Sequence, residues 1–77
     1  MALTIRVFGN LVNYSPTDTD QFSYEIQHPI TVSALLEALG IPKGHVWMVT
    51  VNDVKVGGSH VVYDGDEVMI FEPVLGG

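Results

Sequence analysis

The sequence predicts an α+β domain, a mixed sheet of four to five strands with one main helix across one face. Three observations predict it. β-forming segments open and close the chain, at residues 3–8 and 68–71, and a single stretch after Thr31 carries helical periodicity. Two strand-like segments precede that stretch and the others follow it, an order that suits a sheet covered by one helix.

Taken in order, Leu3, Ile5 and Val7 share one face of a strand over residues 3–8, which Gly9 ends. Residues 10–21 are polar and punctuated by Pro16 and Thr/Asp steps, a loop with room for one helical turn at residues 11–14. Phe22, Tyr24 and Ile26 alternate with Ser23, Glu25 and Gln27 in a second strand, broken by His28-Pro29. Thr31 is a suitable N-cap, because its hydroxyl can accept from a free amide of the first turn. Val32, Leu35, Leu36 and Leu39 follow at i, i+3, i+4 and i+7, one apolar stripe of a helix. Gly40 stands where a C-cap glycine belongs, and Pro42 prevents continuation. Residues 47–51 form a third strand. Asn52-Asp53 turns it into residues 54–56, and Gly57-Gly58 closes that piece. Residues 61–63 are briefly extended. Asp64-Gly65-Asp66 then supplies turn chemistry ahead of the last strand, whose Val68 and Ile70 should face the helix and whose Met69 and Phe71 should face away. Pro73 blocks further ladder pairing. The organisation expected is one domain over residues 1–72 and a tail over residues 73–77, with no internal repeat or linker.

Composition narrows the function. A chain of 77 residues supports one core, burying about 60% of its unfolded surface. With no cysteine there is no disulfide framework, thiolate metal site or cysteine nucleophile. Nine acidic residues against Arg6, Lys43 and Lys55 give a formal charge of -6, which disfavours nucleic acid and anionic membranes and suits a basic protein partner. No basic, apolar leader and no long apolar run is present, so a cytoplasmic location is expected.

Few residues suggest chemistry within the chain. His28, His45 and His60 are too scattered for the three or four converging ligands of a zinc site. Ser59, His60 and Asp64 are the types of a hydrolytic triad, but neighbours on a strand point to opposite faces. Gly57-Gly58-Ser59 lacks the lysine and helix of a phosphate loop. Asp64, Asp66 and Glu67 read as solvated turn residues rather than an acid/base pair. The expectation is a chain with no self-contained active site, no bound cofactor and no metal.

The ending Gly76-Gly77 is different. Glycine is costly to order and buries almost nothing, so the pair serves a core poorly. It suits a slim carboxylate threaded into another protein's active site. An extended run from Glu72 to Gly77 reaches about 20 Å at roughly 3.3–3.6 Å per residue, enough to cross the mouth of such a site. Phe8, Met69 and Phe71 lie on strand faces turned from the core. They form a docking patch beside the tail if the first and last strands are neighbours.

These residues resemble the MoaD/ThiS family of ubiquitin-like sulfur carriers. The likeness covers nearly the whole chain: the opening strand, the helix Thr31-Val32-Ser33-Ala34-Leu35-Leu36-Glu37-Ala38-Leu39-Gly40, the Val51-Asn52-Asp53 turn, and the ending from Asp64-Gly65-Asp66-Glu67-Val68 to Gly76-Gly77. The resemblance implies a β-grasp fold. It implies an adenylating partner, related to ubiquitin-activating enzymes, that uses ATP and magnesium to activate Gly77, with Gly76 giving clearance. Sulfur from a persulfide donor then yields a thiocarboxylate, and Phe8, Met69, Phe71, Pro73, Val74 and Leu75 meet the partners. The long segment between the first two strands and Pro73 are closer to MoaD, which implies molybdopterin synthesis with the synthase large subunit as acceptor. Glu72, where MoaD-like tails often carry proline, and Leu75, where a small residue is usual, are departures. Carriers for thiamin, amino-acid or tungsten-cofactor pathways stay open, as do a ubiquitin-like modifier joined to lysines and a simple interaction domain.

Overall fold

In the computed structural model, residues 1–73 are described, and they form seven strands and one α-helix. β1 (Ala2–Val7), β2 (Gln21–Glu25), β4 (Met48–Val51), β5 (Val54–Val56) and β7 (Glu67–Phe71) make a five-stranded sheet in the order β2-β1-β7-β4-β5. The central pair, β1 and β7, is parallel, and the other pairings are antiparallel. β3 (Ile30–Thr31) and β6 (Val61–Val62) form a separate two-stranded ladder.

The alternation in the sequence decides which face is buried. Leu3, Ile5 and Val7 of β1, Val49 and Val51 of β4, and Val68 and Ile70 of β7 all point to the core, each no more than 5% exposed. Against them lies α1 (Val32–Leu39), which contributes Val32, Leu35 and Leu36. Leu39, the last residue of the stripe, is only half-buried at the helix end. Thr31 caps the helix as its position suggests, its hydroxyl accepting from the Ala34 amide at 3.1 Å. Gly40 takes the left-handed conformation with φ 76°, and its amide reaches the Glu37 carbonyl.

The turns follow their residue chemistry. Asn52 and Asp53 both have positive φ, 51° and 68°, the requirement of a two-residue hairpin whose twist matches its strands. Around Gly65, the acidic residues are engaged by backbone. Asp64 accepts from the Ala2 amide at 2.8 Å, and Asp66 from the Tyr63 amide at 2.8 Å and the Asn52 side chain at 3.0 Å. The turn tethers the chain's start to the last strand.

Several boundaries differ from expectation. β2 ends at Glu25, leaving Ile26 and Gln27 outside the strand, with Ile26 still buried. β4 begins at Met48, leaving Trp47 outside the strand and 61% exposed, although its amide still donates to the Phe71 carbonyl at 2.7 Å. Residues 30–31, expected only as the approach to the helix cap, pair with β6, so the brief extended segment at Val61 belongs to a separate small ladder. β1 stops at Val7; Phe8 stays extended and its amide donates to the Ile70 carbonyl at 3.2 Å.

Candidate functional site

The sheet leaves one face without a helix, and the last strand runs along its middle towards Pro73. On that face Arg6 is registered with Met69, Thr50 lies opposite Met69, and Met48 lies opposite Phe71. Because β1 and β7 are neighbours, the condition for a continuous patch is met. The rings of Phe8 and Phe71 stack with centroids 4.4 Å apart and planes 7° from parallel. The Arg6 guanidinium sits 5.1 Å from the Phe8 centroid, a cation–π contact on the outer side of the stack. Phe8, Met48, Met69 and Phe71 are all half-buried, an apolar strip beside Glu72 and Pro73. Met48 belongs to the strip although the sequence reading passed over it. Its alternation with Val49 was the available signal. The Thr50 hydroxyl is buried on the same face and has no hydrogen-bond partner among the described residues.

The end of β7 and the residue after it are held from both sides. The Trp47 amide donates to the Phe71 carbonyl on one side. On the other, a 3-10 turn spans Gly9–Tyr14, and the Asn10 amide donates to Glu72 Oε2 at 3.0 Å. Gly9 has φ 63°, and a Cβ there would collide with the Glu72 carboxylate, so this approach needs glycine. Beside Glu72 and Pro73 opens a pocket of about 330 Å³ between the Gly9–Tyr14 turn and a second 3-10 turn, Lys43–His45. A hydrogen bond of 2.9 Å joins two of its lining residues, through the Tyr14 hydroxyl and His45 Nδ1. The sequence reading gave Glu72 and His45 no such role, since the pocket joins segments more than thirty residues apart, here 31 between Tyr14 and His45.

Of the remaining site residues, Pro73 is half-buried at the pocket rim. Val74, Leu75, Gly76 and Gly77 lie outside the described residues. Among the described residues, no three histidine, aspartate or glutamate side chains converge on a common point. His28 bonds the Pro29 carbonyl and His45 bonds Tyr14, while Asp64 is held by Ala2, so neither the histidines nor Ser59, His60 and Asp64 form a constellation. No helix among the described residues is long and apolar enough to cross a membrane.

Comparison with solved structures finds the same fold in several small proteins. SAMP1 of Haloferax volcanii superposes with a TM-score of 0.76 at 21% identity, over 100% of each chain. The HVO 2177 protein of the same organism gives 0.77 at 26% identity, over 100% of this chain and 87% of the other. A chain from the complex of subunits 1 and 2 of the molybdopterin-converting factor of Helicobacter pylori gives 0.62 at 23% identity, over 100% of each. These likenesses establish the ubiquitin-like β-grasp architecture. No curated protein sequence matches the chain. The ThiS family model matches residues 5–77, from the second residue of the opening alternation to the terminal glycine. The chain therefore belongs to the ThiS family, whose members are small ubiquitin-like carrier proteins rather than enzymes.

Proposed function

We propose that the chain is a sulfur carrier that works through the carboxylate of Gly77, with Gly76 as clearance. A ubiquitin-activating-like enzyme using ATP and magnesium is the first partner. The Gly77 carboxylate attacks the α-phosphate of ATP, pyrophosphate leaves, and an acyl-adenylate forms. The terminal sulfur of a persulfide attacks the acyl carbon and displaces AMP. A second thiol then cleaves the resulting acyl disulfide, leaving the thiocarboxylate on Gly77 and a disulfide on the donor. This chain supplies no cofactor to that chemistry. It supplies the carboxylate, and a docking face made by Phe8, Met69 and Phe71, with Pro73, Val74 and Leu75 leading into the partner's site.

The observation that carries the reading is the extent of the family match, which runs through the tail to Gly77. The Phe8–Phe71 stack is consistent with it, an apolar surface on the open face close in sequence to Pro73. For the acceptor, molybdopterin synthesis is favoured. The matching H. pylori chain comes from a complex of molybdopterin-converting factor subunits 1 and 2, and a large subunit of that kind is the acceptor we assign here. The work is assigned to the cytoplasm, the compartment expected from the sequence.

A second reading rests on the likeness to SAMP1 of H. volcanii, a protein described as a small archaeal modifier protein. In it, Gly77 is joined to a lysine of a target. Intact mass after incubation with ATP, magnesium and the cell's adenylating enzyme tests the first reading. An acyl-adenylate on the Gly77 peptide, converted by a sulfur donor to a species heavier by the difference between sulfur and oxygen, is the expected result. Covalent target adducts on a denaturing gel, without that species, favour the modifier; absence of any adenylate overturns both.

A further inference from the structure

The chemical steps proposed above use none of the polar groups of the pocket beside Glu72 and Pro73, and those groups are chemically one-sided. Its polar groups are the Glu72 carboxylate, the side-chain amides of Asn10 and Asn13, and the hydrogen-bonded pair Tyr14–His45. No lysine or arginine is among its lining residues. Arg6 lies on the open sheet face over Phe8, and Lys43 lines a different pocket near Glu37. Among the described residues no cation pairs with Glu72, the one ion pair present being that of the N-terminus with Glu25. The carboxylate is also held in place: the Asn10 amide fixes one oxygen, and Gly9 leaves only enough room for the other. A carboxylate held at a pocket wall beside an aromatic ring, on a chain of formal charge -6, is complementary to a cation.

We propose that this pocket is a socket for an arginine side chain of a partner protein. The preference for arginine over lysine follows from the inventory of acceptors. A guanidinium carries five N–H donors in one plane, which a carboxylate and two amide oxygens can share. Its flat face also stacks on an aromatic ring such as Tyr14, whereas an ammonium brings a compact, strongly hydrated charge. The use of the socket by an activating or accepting enzyme rests on the carrier reading, for which it supplies a second anchor beside the tail. The binding of the guanidinium does not rest on it.

The test is a titration of the isotopically labelled full chain with N-acetyl-arginine amide, followed by NMR at Tyr14, Gly44, His45 and Glu72. Saturable shifts confined to those residues are expected, with a Kd on the order of 10 mM, in keeping with one desolvated cation site. N-acetyl-lysine amide should bind at least about threefold more weakly. Glu72→Gln keeps an acceptor for the Asn10 amide but removes the charge, and should weaken arginine binding at least about fivefold with the fold intact. His45→Ala, at an exposed position, should weaken it by a smaller factor. The proposal is overturned by shifts spread equally over Glu25, Asp53 and Glu67, by lysine binding as well as arginine, or by unchanged binding in Glu72→Gln. Adenylation of Gly77 in the same preparation reports on the carrier reading separately, since it needs no occupied socket in the free chain.

Discussion

Gly9 and Glu72 show how tightly single residues are specified at the tail root. Any other residue at position 9 faces two costs, a left-handed backbone at φ 63° and an overlap between its Cβ and the Glu72 carboxylate. The first is worth about 1–2 kcal/mol for a residue other than glycine. Gly9→Ala should therefore destabilise the chain by about 2–3 kcal/mol, with displacement of Glu72 adding to the backbone term. Glu72→Ala alone removes a half-exposed hydrogen bond to the Asn10 amide and should cost about 1 kcal/mol or less. In the double variant the collision is gone, so the two effects should be less than additive in urea unfolding. Strict additivity would mean that Gly9 is needed for its backbone alone. Nothing in the neighbourhood of Gly9 or Glu72 in sequence announces this contact, which spans 62 positions between Asn10 and Glu72. What was legible was Gly9 as a strand end and Glu72 as a departure from the usual tail.

At the scale of elements, the most legible pieces are those whose signals are local. The helix needed only Thr31, its apolar stripe and Gly40, and each does what its chemistry suggests. Thr31→Ala should cost about 1 kcal/mol by freeing the Ala34 amide, lowering Tm by about 4–8 °C for a domain of this size. A change within error would show that the cap adds nothing to the packing of Val32, Leu35 and Leu36. The β3–β6 ladder was not legible, because two-residue strands are too short to show a period. The neighbourhood of β1 and β7 was not legible either: a parallel pairing of the first and last strands leaves no local mark. That pairing decides whether Phe8 meets Phe71, so the apolar strip was readable only as a conditional. With the stack formed, Phe71→Ala should weaken binding to the adenylating enzyme by about 1–3 kcal/mol if the ring is a buried anchor of the complex. Calorimetry on the variant and the parent measures it, with circular dichroism to confirm that the sheet persists. An unchanged affinity would remove Phe71 from the interface.

At the scale of the whole molecule, the proposed division between a folded body and a working terminus makes the sharpest prediction. Among the described residues, every buried hydrophobic residue of the core lies between Leu3 and Ile70, and the last strand ends at Phe71. The contacts that hold its end, from Trp47 to Phe71 and from Asn10 to Glu72, also precede Gly77. Deleting Gly77 thus removes no group on which these contacts depend, and glycine itself offers no apolar surface to bury. Stability in urea should change by less than about 0.5 kcal/mol, the range typical of substitutions away from packed sites. Adenylation is the opposite case, because shortening the chain moves the carboxylate by one residue, about 3.3–3.6 Å when extended. An active site that requires in-line attack on a phosphate does not tolerate an error of that size, since misplacement by even about 1 Å can cost on the order of a hundredfold in rate. The deletion should accordingly abolish acyl-adenylate formation while the protein still competes with the parent for the enzyme through Phe8, Met69 and Phe71. Loss of folding would sink the separation of body from terminus. Retained adenylation would remove Gly77 as the site of activation, and loss of competition would move the docking energy from the sheet face to the tail.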